Sequence, residues 1–155
     1  MARLAMSPTR TSTASFMASE PVFADTSFFF ALAARRDPAH ASAAEQFARL
    51  LRRQRPIVTT DYVVDEALTL TKARTTAAVA VALLDRIEGS EAITLEVVSV
   101  SRFSLAKTFF RKHADHGYSF TDCTSFVVMR ELEITEALTT DHHFAEAGFR
   151  PLLAL

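Results

Sequence analysis

The sequence predicts an α/β fold, a central and mostly parallel sheet of four to five strands flanked by helices. Two observations carry this. Short apolar or β-branched runs alternate with longer segments whose apolar residues recur at helical spacing. From Pro21 onward there is no internal repeat, low-complexity tract or linker, so the alternation belongs to one continuous unit.

The elements follow in order. Val22 to Ala24 is an apolar run interrupted by Asp25, which gives the first strand and its end. Phe28 to Ala34 is rich in helix formers, and Asp37-Pro38 breaks it because proline lacks the N–H and clashes with the preceding turn. Ser42 to Arg53 carries Ala44, Phe47, Ala48 and Leu51 at helical spacing and is closed by Pro56. Ile57 to Thr60 reads as a second, buried strand. Helices are expected from about Val64 to Arg74 and from Thr76 to Ile87, the latter ended by Gly89. The β-branched run from Ile93 to Val100 is the third strand. Ser101 then caps a helix carrying Phe103, Ala106, Phe109 and Phe110 and ending around Gly117. A further helix starts near Thr121 and runs to Leu132. Ala137 to Thr140 is the fourth strand, ended by Asp141, and Arg150 to Leu155 offers a fifth. Strands separated by helices imply right-handed crossovers, and such sheets bind ligands at the carboxyl ends of their strands.

A chain of 155 residues suits one domain, here residues 21–155 after a flexible tail of residues 1–20. With 49% hydrophobic and 23% charged residues the composition is that of a globular protein, which excludes a disordered chain. No apolar stretch reaches the roughly 18 residues that would cross a bilayer, and the opening lacks the apolar core of an export signal. The single cysteine, Cys123, excludes an internal disulfide and a thiolate zinc cage, which points to a reducing cytoplasm. The net charge of −1 hides a division. Setting aside four acids discussed next leaves 17 basic against 14 acidic residues, or +3, with Arg35, Arg36, Arg52, Arg53, Arg55 and Arg74 available for phosphates.

Those four acids stand at the edges of apolar segments: Asp25, Glu66, Asp122 and Asp141. Asp25 and Asp141 end predicted strands, so in a parallel sheet both emerge on the same rim. Glu66 and Asp122 lie in or near first helical turns, where the helix dipole favours an anion and where either residue alone reads equally well as a cap. As a converging set they would repel one another, and a divalent cation relieves that repulsion. An all-oxygen donor set suits magnesium or manganese, and the chemistry this points to is phosphodiester hydrolysis by a metal-dependent nuclease.

Other candidates rank lower. Asp65 neighbours Glu66 and cannot share its direction on a helix, and Asp61 is a weaker rival. His142 and His143 adjoin Asp141, but adjacent residues point apart and no third histidine lies at a ligand spacing. His113 and His116 read as a solvated helix end. Ser27 lacks a nucleophile elbow, so its hydroxyl, or that of Thr26, is expected to steady Asp25 or a metal-bound water.

The segments FADTSFFFAL, TTDYVVDEALTL and YSFTDCTSFVVMRELEITEALTTDHHFAEAGFRPL, in this order, resemble the PIN-domain ribonucleases, and among them the VapC-type toxins of toxin–antitoxin pairs. The resemblance spans about Val22 to Leu155. It implies that Asp25, Glu66, Asp122 and Asp141 form an acidic quartet with Ser27 and Thr121 as polar neighbours. It further implies a PIN-like (Rossmann-like) fold, a homodimer, Mg2+ or Mn2+, and cleavage of single-stranded or loop RNA leaving a 5′ phosphate and a 3′ hydroxyl. A small antitoxin whose tail blocks the site, often with an arginine, is implied as well. The departure is the N-terminal tail, longer than the family usually carries. Three further readings stand beside this one: an RNA-processing PIN nuclease without an antitoxin, a non-catalytic binding module whose acids cap helices and tie down arginines, and a receiver or haloacid-type phosphotransfer domain, which needs an acidic partner near its aspartate where Asp25 is followed by Thr26 and Ser27.

Overall fold

Five short strands, all parallel, form the centre of the computed structural model, which describes residues 19–155. The expected N-terminal tail therefore lies, through residue 18, outside the described residues. In chain order the elements are β1 (Val22–Ala24), α1 (Thr26–Ala33), α2 (His40–Arg52), β2 (Ile57–Thr60), α3 (Asp61–Arg74), α4 (Ala77–Gly89), β3 (Ile93–Glu96), α5 (Val100–Lys112), α6 (Phe120–Glu131), β4 (Glu136–Leu138), α7 (His142–Glu146) and β5 (Arg150–Pro151).

The strand order is β3-β2-β1-β4-β5. Growth from β1 goes one way through β2 and β3, then returns to the other side of β1 for β4 and β5. The direction reverses between β1 and β4, where Phe23 faces Ala137 and Ala24 faces Leu138. In open parallel sheets such a reversal opens a crevice at the carboxyl ends of the strands. The residues that leave the sheet there are Asp25 after β1 and, after β4, Thr139 to Asp141.

All three residues of β1 and all four of β2 are buried, which explains their uninterrupted character: a strand covered on both faces has no polar side to show. Phe23, Phe28, Phe29, Phe126 and Phe144 are among the fully buried side chains. Phe126 meets the rings of Tyr118 at 5.2 Å, Phe144 at 5.0 Å and Phe149 at 5.6 Å. Truncating a buried phenylalanine of this kind typically costs about 3–5 kcal/mol. Phe144 matters for position as well as stability, because it anchors the short helix that follows Asp141.

Several boundaries differ from expectation for identifiable reasons. The third strand stops at Glu96 rather than Val100, because the Val98 N–H is taken by the Asp61 carboxylate at 2.9 Å. Ser99, not Ser101, then caps α5 by accepting the Arg102 N–H, and α5 ends at Lys112 rather than near Gly117. Ser119 caps α6, which starts at Phe120, close to the expected start near Thr121. Thr60 caps α3, which starts at Asp61 rather than near Val64. Helix α7 was not foreseen. It is one short turn closed by Gly148 at φ +96, in the left-handed region that glycine enters without strain. Arg102 ties β3, α5 and α6 together, with Glu96 at 2.8 Å and Glu131 at 2.9 Å.

Candidate active site

Asp25 occupies the N-cap position of α1, yet its side chain makes no capping bond. Its Oδ2 instead accepts two hydroxyls, Thr139 at 2.9 Å and Ser27 at 3.1 Å. Thr139 in turn accepts the Asp141 N–H at 2.9 Å, and Ser27 accepts the Thr140 N–H at 3.0 Å. One small network thus stitches the end of β1 to the end of β4. Ser27 takes the steadying role expected of it. Thr139, counted from sequence only as part of a strand, is the residue on which Asp25 most depends.

Asp122 and Asp141 both cap helices. Ser119 and Asp122 form a reciprocal capping box, with Ser119 N donating to Asp122 Oδ2 at 2.9 Å and Asp122 N to Ser119 Oγ at 3.0 Å. Asp141 Oδ1 accepts the His143 N–H at 2.9 Å. The cap reading offered for Asp122 is therefore met, that for Glu66 is not, and Asp141, expected only to end a strand, caps as well. A carboxylate has two oxygens and about four lone pairs, so a cap through one of them leaves capacity for another partner.

The three aspartates sense one another. Asp25 is only 4% exposed, and its carboxyl is pushed up to about 7, chiefly by burial. The Asp122 charge adds to this, while the hydroxyl of Thr139 opposes it. Asp122 is raised too, by burial first and the Asp141 charge next, against the Ser119 N–H bond and His143. Acids held in such surroundings strain toward protonation, and a cation among them stabilises the ionised form.

Glu66 stands apart. It is exposed on the second turn of α3, whereas Asp25 and Asp122 are buried and Asp141 is half-buried. Asp65 is exposed beside it, and Asp61 is committed to Val98. Thr121 is half-buried at the start of α6, where its carbonyl accepts the Thr124 hydroxyl. Of the arginines expected to be free for phosphate, Arg55 pairs with Glu136 at 2.8 Å and holds the Glu20 carbonyl, and Arg74 lies over the Phe30 ring. Arg35, Arg36, Arg52 and Arg53 are exposed.

The histidines next to Asp141 behave differently from expectation. Expected to point apart, the rings of His142 and His143 instead lie with their centroids 4.3 Å from each other, and the Asp141 carboxylate folds back over the first turn of α7 and meets both. His142 Nδ1 lies 3.8 Å and His143 Nδ1 3.2 Å from Asp141 Oδ1. Among the described residues, the donor atoms of Asp141, His142 and His143 all fall within 4.8 Å of one another. His142 is 74% exposed and also approaches Glu146. His143 is mostly buried, and its Nδ1 also stands 3.4 Å from Asp122 Oδ2.

Asp25 and Asp122 are buried and Asp141 is half-buried. A groove on another part of the surface is lined by Leu32, His40, Ala44, Val79, Leu83 and Arg86.

Comparison with known proteins adds three findings. A family model described as PIN domain matches residues 22–150. The chain is 36% identical over 129 residues to "23S rRNA-specific endonuclease VapC20" from two Mycobacterium tuberculosis strains, CDC 1551 / Oshkosh and ATCC 25618 / H37Rv, covering 83% of this chain and 95% of that protein. It also resembles the crystal structure of Mycobacterium tuberculosis VapC20, titled a Sarcin-Ricin loop cleaving toxin, with a TM-score of 0.76 and 33% identity over 86% of this chain and 99% of the other.

Proposed function

The chain belongs to the PIN-domain family, in its VapC-type branch, and from that premise we propose that it is a metal-dependent endoribonuclease acting as the toxin of a toxin–antitoxin pair. The observation that carries the proposal furthest is the electrostatic coupling of three acids near the reversal of strand order: Asp25 is pushed toward protonation by burial and by the Asp122 charge, and Asp122 by burial and by the Asp141 charge. Surface acids that merely capped helices would not need to crowd.

The roles divide by environment. Asp25, Asp122 and Asp141 would hold Mg2+ or Mn2+ through carboxylate oxygens, with Glu66, by its place in the family pattern, as the fourth acid. When bound, such an ion polarises a phosphoryl oxygen and lowers the pKa of an attacking water. The chain's own contribution is orientation: Ser27 and Thr139 fix the Asp25 carboxylate, and Ser119 fixes that of Asp122. Positioning of this kind removes reorganisation from the chemical step.

The relative VapC20 is named for 23S rRNA, which makes a ribosomal RNA loop the first substrate to test. RNA loops offer splayed bases and accessible backbone to a shallow site. A small antitoxin and a second copy of the chain complete the proposed assembly.

The test uses the protein purified free of partners, incubated with ribosomal RNA and Mn2+, beside a chelator control and Asp25→Asn. Discrete cleavage by the wild type, absent from both controls, supports the reading. RNA left intact by the wild type, or cut equally by the mutant, ends it.

A further inference from the structure

Asp122 and Asp141 come from different elements, α6 and the β4–α7 junction, and no hydrogen bond joins their carboxylates. Between them stands the His143 ring. Its Nδ1 is 3.2 Å from Asp141 Oδ1 and 3.4 Å from Asp122 Oδ2, yet it is buried and satisfies hydrogen-bond geometry with neither. The atom is shared between two acids rather than bonded to one.

What keeps it there is visible on the opposite edge of the ring. A Cβ placed on Gly117 would lie 2.9 Å from His143 Nε2, closer than side chains tolerate, so only glycine lets the ring seat so deeply. Tyr118 meets the ring edge-on at 5.5 Å. The backbone of 117–118 thus presses Nδ1 into the gap between the acids and leaves Nε2 packed against main chain.

We propose that His143 is a positioning residue for the divalent ion, setting the separation and orientation of the Asp122 and Asp141 carboxylates, with Gly117 as its seat. The inference rests on the metal reading of the preceding subsection and goes beyond it, since the acidic quartet contains neither residue. Groups that orient metal-binding carboxylates typically change metal affinity by about 10–100-fold when removed.

Three variants isolate the role. His143→Asn puts an amide nitrogen close to the Nδ1 position. His143→Leu keeps bulk and removes the donor. Gly117→Ala leaves every polar group in place and displaces the ring. Mn2+ affinity is read by electron paramagnetic resonance titration on protein freed of metal by chelation, with circular dichroism confirming the fold. The expected result is Mn2+ binding about tenfold weaker in Leu and in Gly117→Ala, substantially restored in Asn. In the Gly117→Ala/His143→Asn double variant the Ala substitution should cost less than it does alone, because the shorter side chain no longer reaches position 117. Folded Leu and Gly117→Ala variants that bind Mn2+ as tightly as wild type overturn this inference and leave the metal reading intact. Wild type that binds no Mn2+ overturns both. Should the Leu variant fail to fold, the Gly117→Ala and Asn pair decides alone.

Discussion

Thr139 donates its hydroxyl to Asp25 at 2.9 Å, although the two residues are 114 positions apart in the chain. The bond lies just beyond the β1–β4 ladder, so the strand pairing that builds the sheet also aims the most buried acid of the candidate site. Thr139 accepts from the Asp141 backbone at the same time, which couples the placement of one aspartate to that of another.

Asp25→Asn should stabilise the metal-free protein at alkaline pH. Burial raises the folded-state carboxyl from 3.8 to about 7. Between those values the folded chain keeps a proton that the unfolded chain has released, so stability falls as pH rises through this window and is level above it. At pH 8 the mutant should gain on the order of 2–4 kcal/mol over wild type, shrinking toward zero below pH 4. Urea melts of both proteins at the two pH values measure this, and a pH-independent difference would mean that the carboxylate is not strained. Because the same substitution is expected to abolish cleavage, stability and activity should move in opposite directions.

Divalent metal should raise the melting temperature of wild type by mass action on the folded state. The rise should be markedly smaller in Asp122→Asn, which keeps its helix position and loses the charge. An identical shift in both proteins would place the ion elsewhere.

Ser119→Ala removes one half of the capping box and should cost about 0.5–2 kcal/mol, whereas Thr121→Ala should fall within about 0.5 kcal/mol of wild type. The Asp122 carboxylate is held by the Ser119 backbone N–H, which alanine keeps, so Mn2+ binding should stay close to that of the wild type while stability falls. Equal stabilities for the two variants would contradict the observed cap.

Glu66→Gln separates the fourth acid from the other three. Exposed on α3, Glu66 should be replaceable with a stability change of no more than about 0.5 kcal/mol. If it belongs to the metal set, cleavage drops at least tenfold while the melting curve stays put. Undiminished cleavage would remove Glu66 from the site.

The sheet was legible because β1 and β2 are buried on both faces, and such strands appear in sequence as plain apolar runs. Asp25 stood out as the charge that ends the β1 run, and Asp141 as the charge that closes the segment of β4. Ser119 is the cap that local pattern leaves open, because Thr121 two residues later carries the same hydroxyl chemistry and only backbone geometry separates them. Thr139 was hidden among four residues of similar strand character, since its bond to Asp25 depends on which strand lies beside β1. Strand order is not encoded in local pattern. The histidines were misjudged by an argument sound for regular elements: adjacent side chains diverge, but Asp141 is an N-cap whose carboxylate curls back across the helix start. A five-residue helix such as α7 is too short for periodicity to reveal.

The placement of β1 between an early and a late strand has a consequence during synthesis. A nascent polypeptide that has emerged only through α6 offers β1 just one of its two neighbours and lacks both Thr139 and Asp141. On the proposed reading such an intermediate holds Asp25 and Asp122 without Asp141, so the acidic set is completed only once β4 and the turn after it have been made.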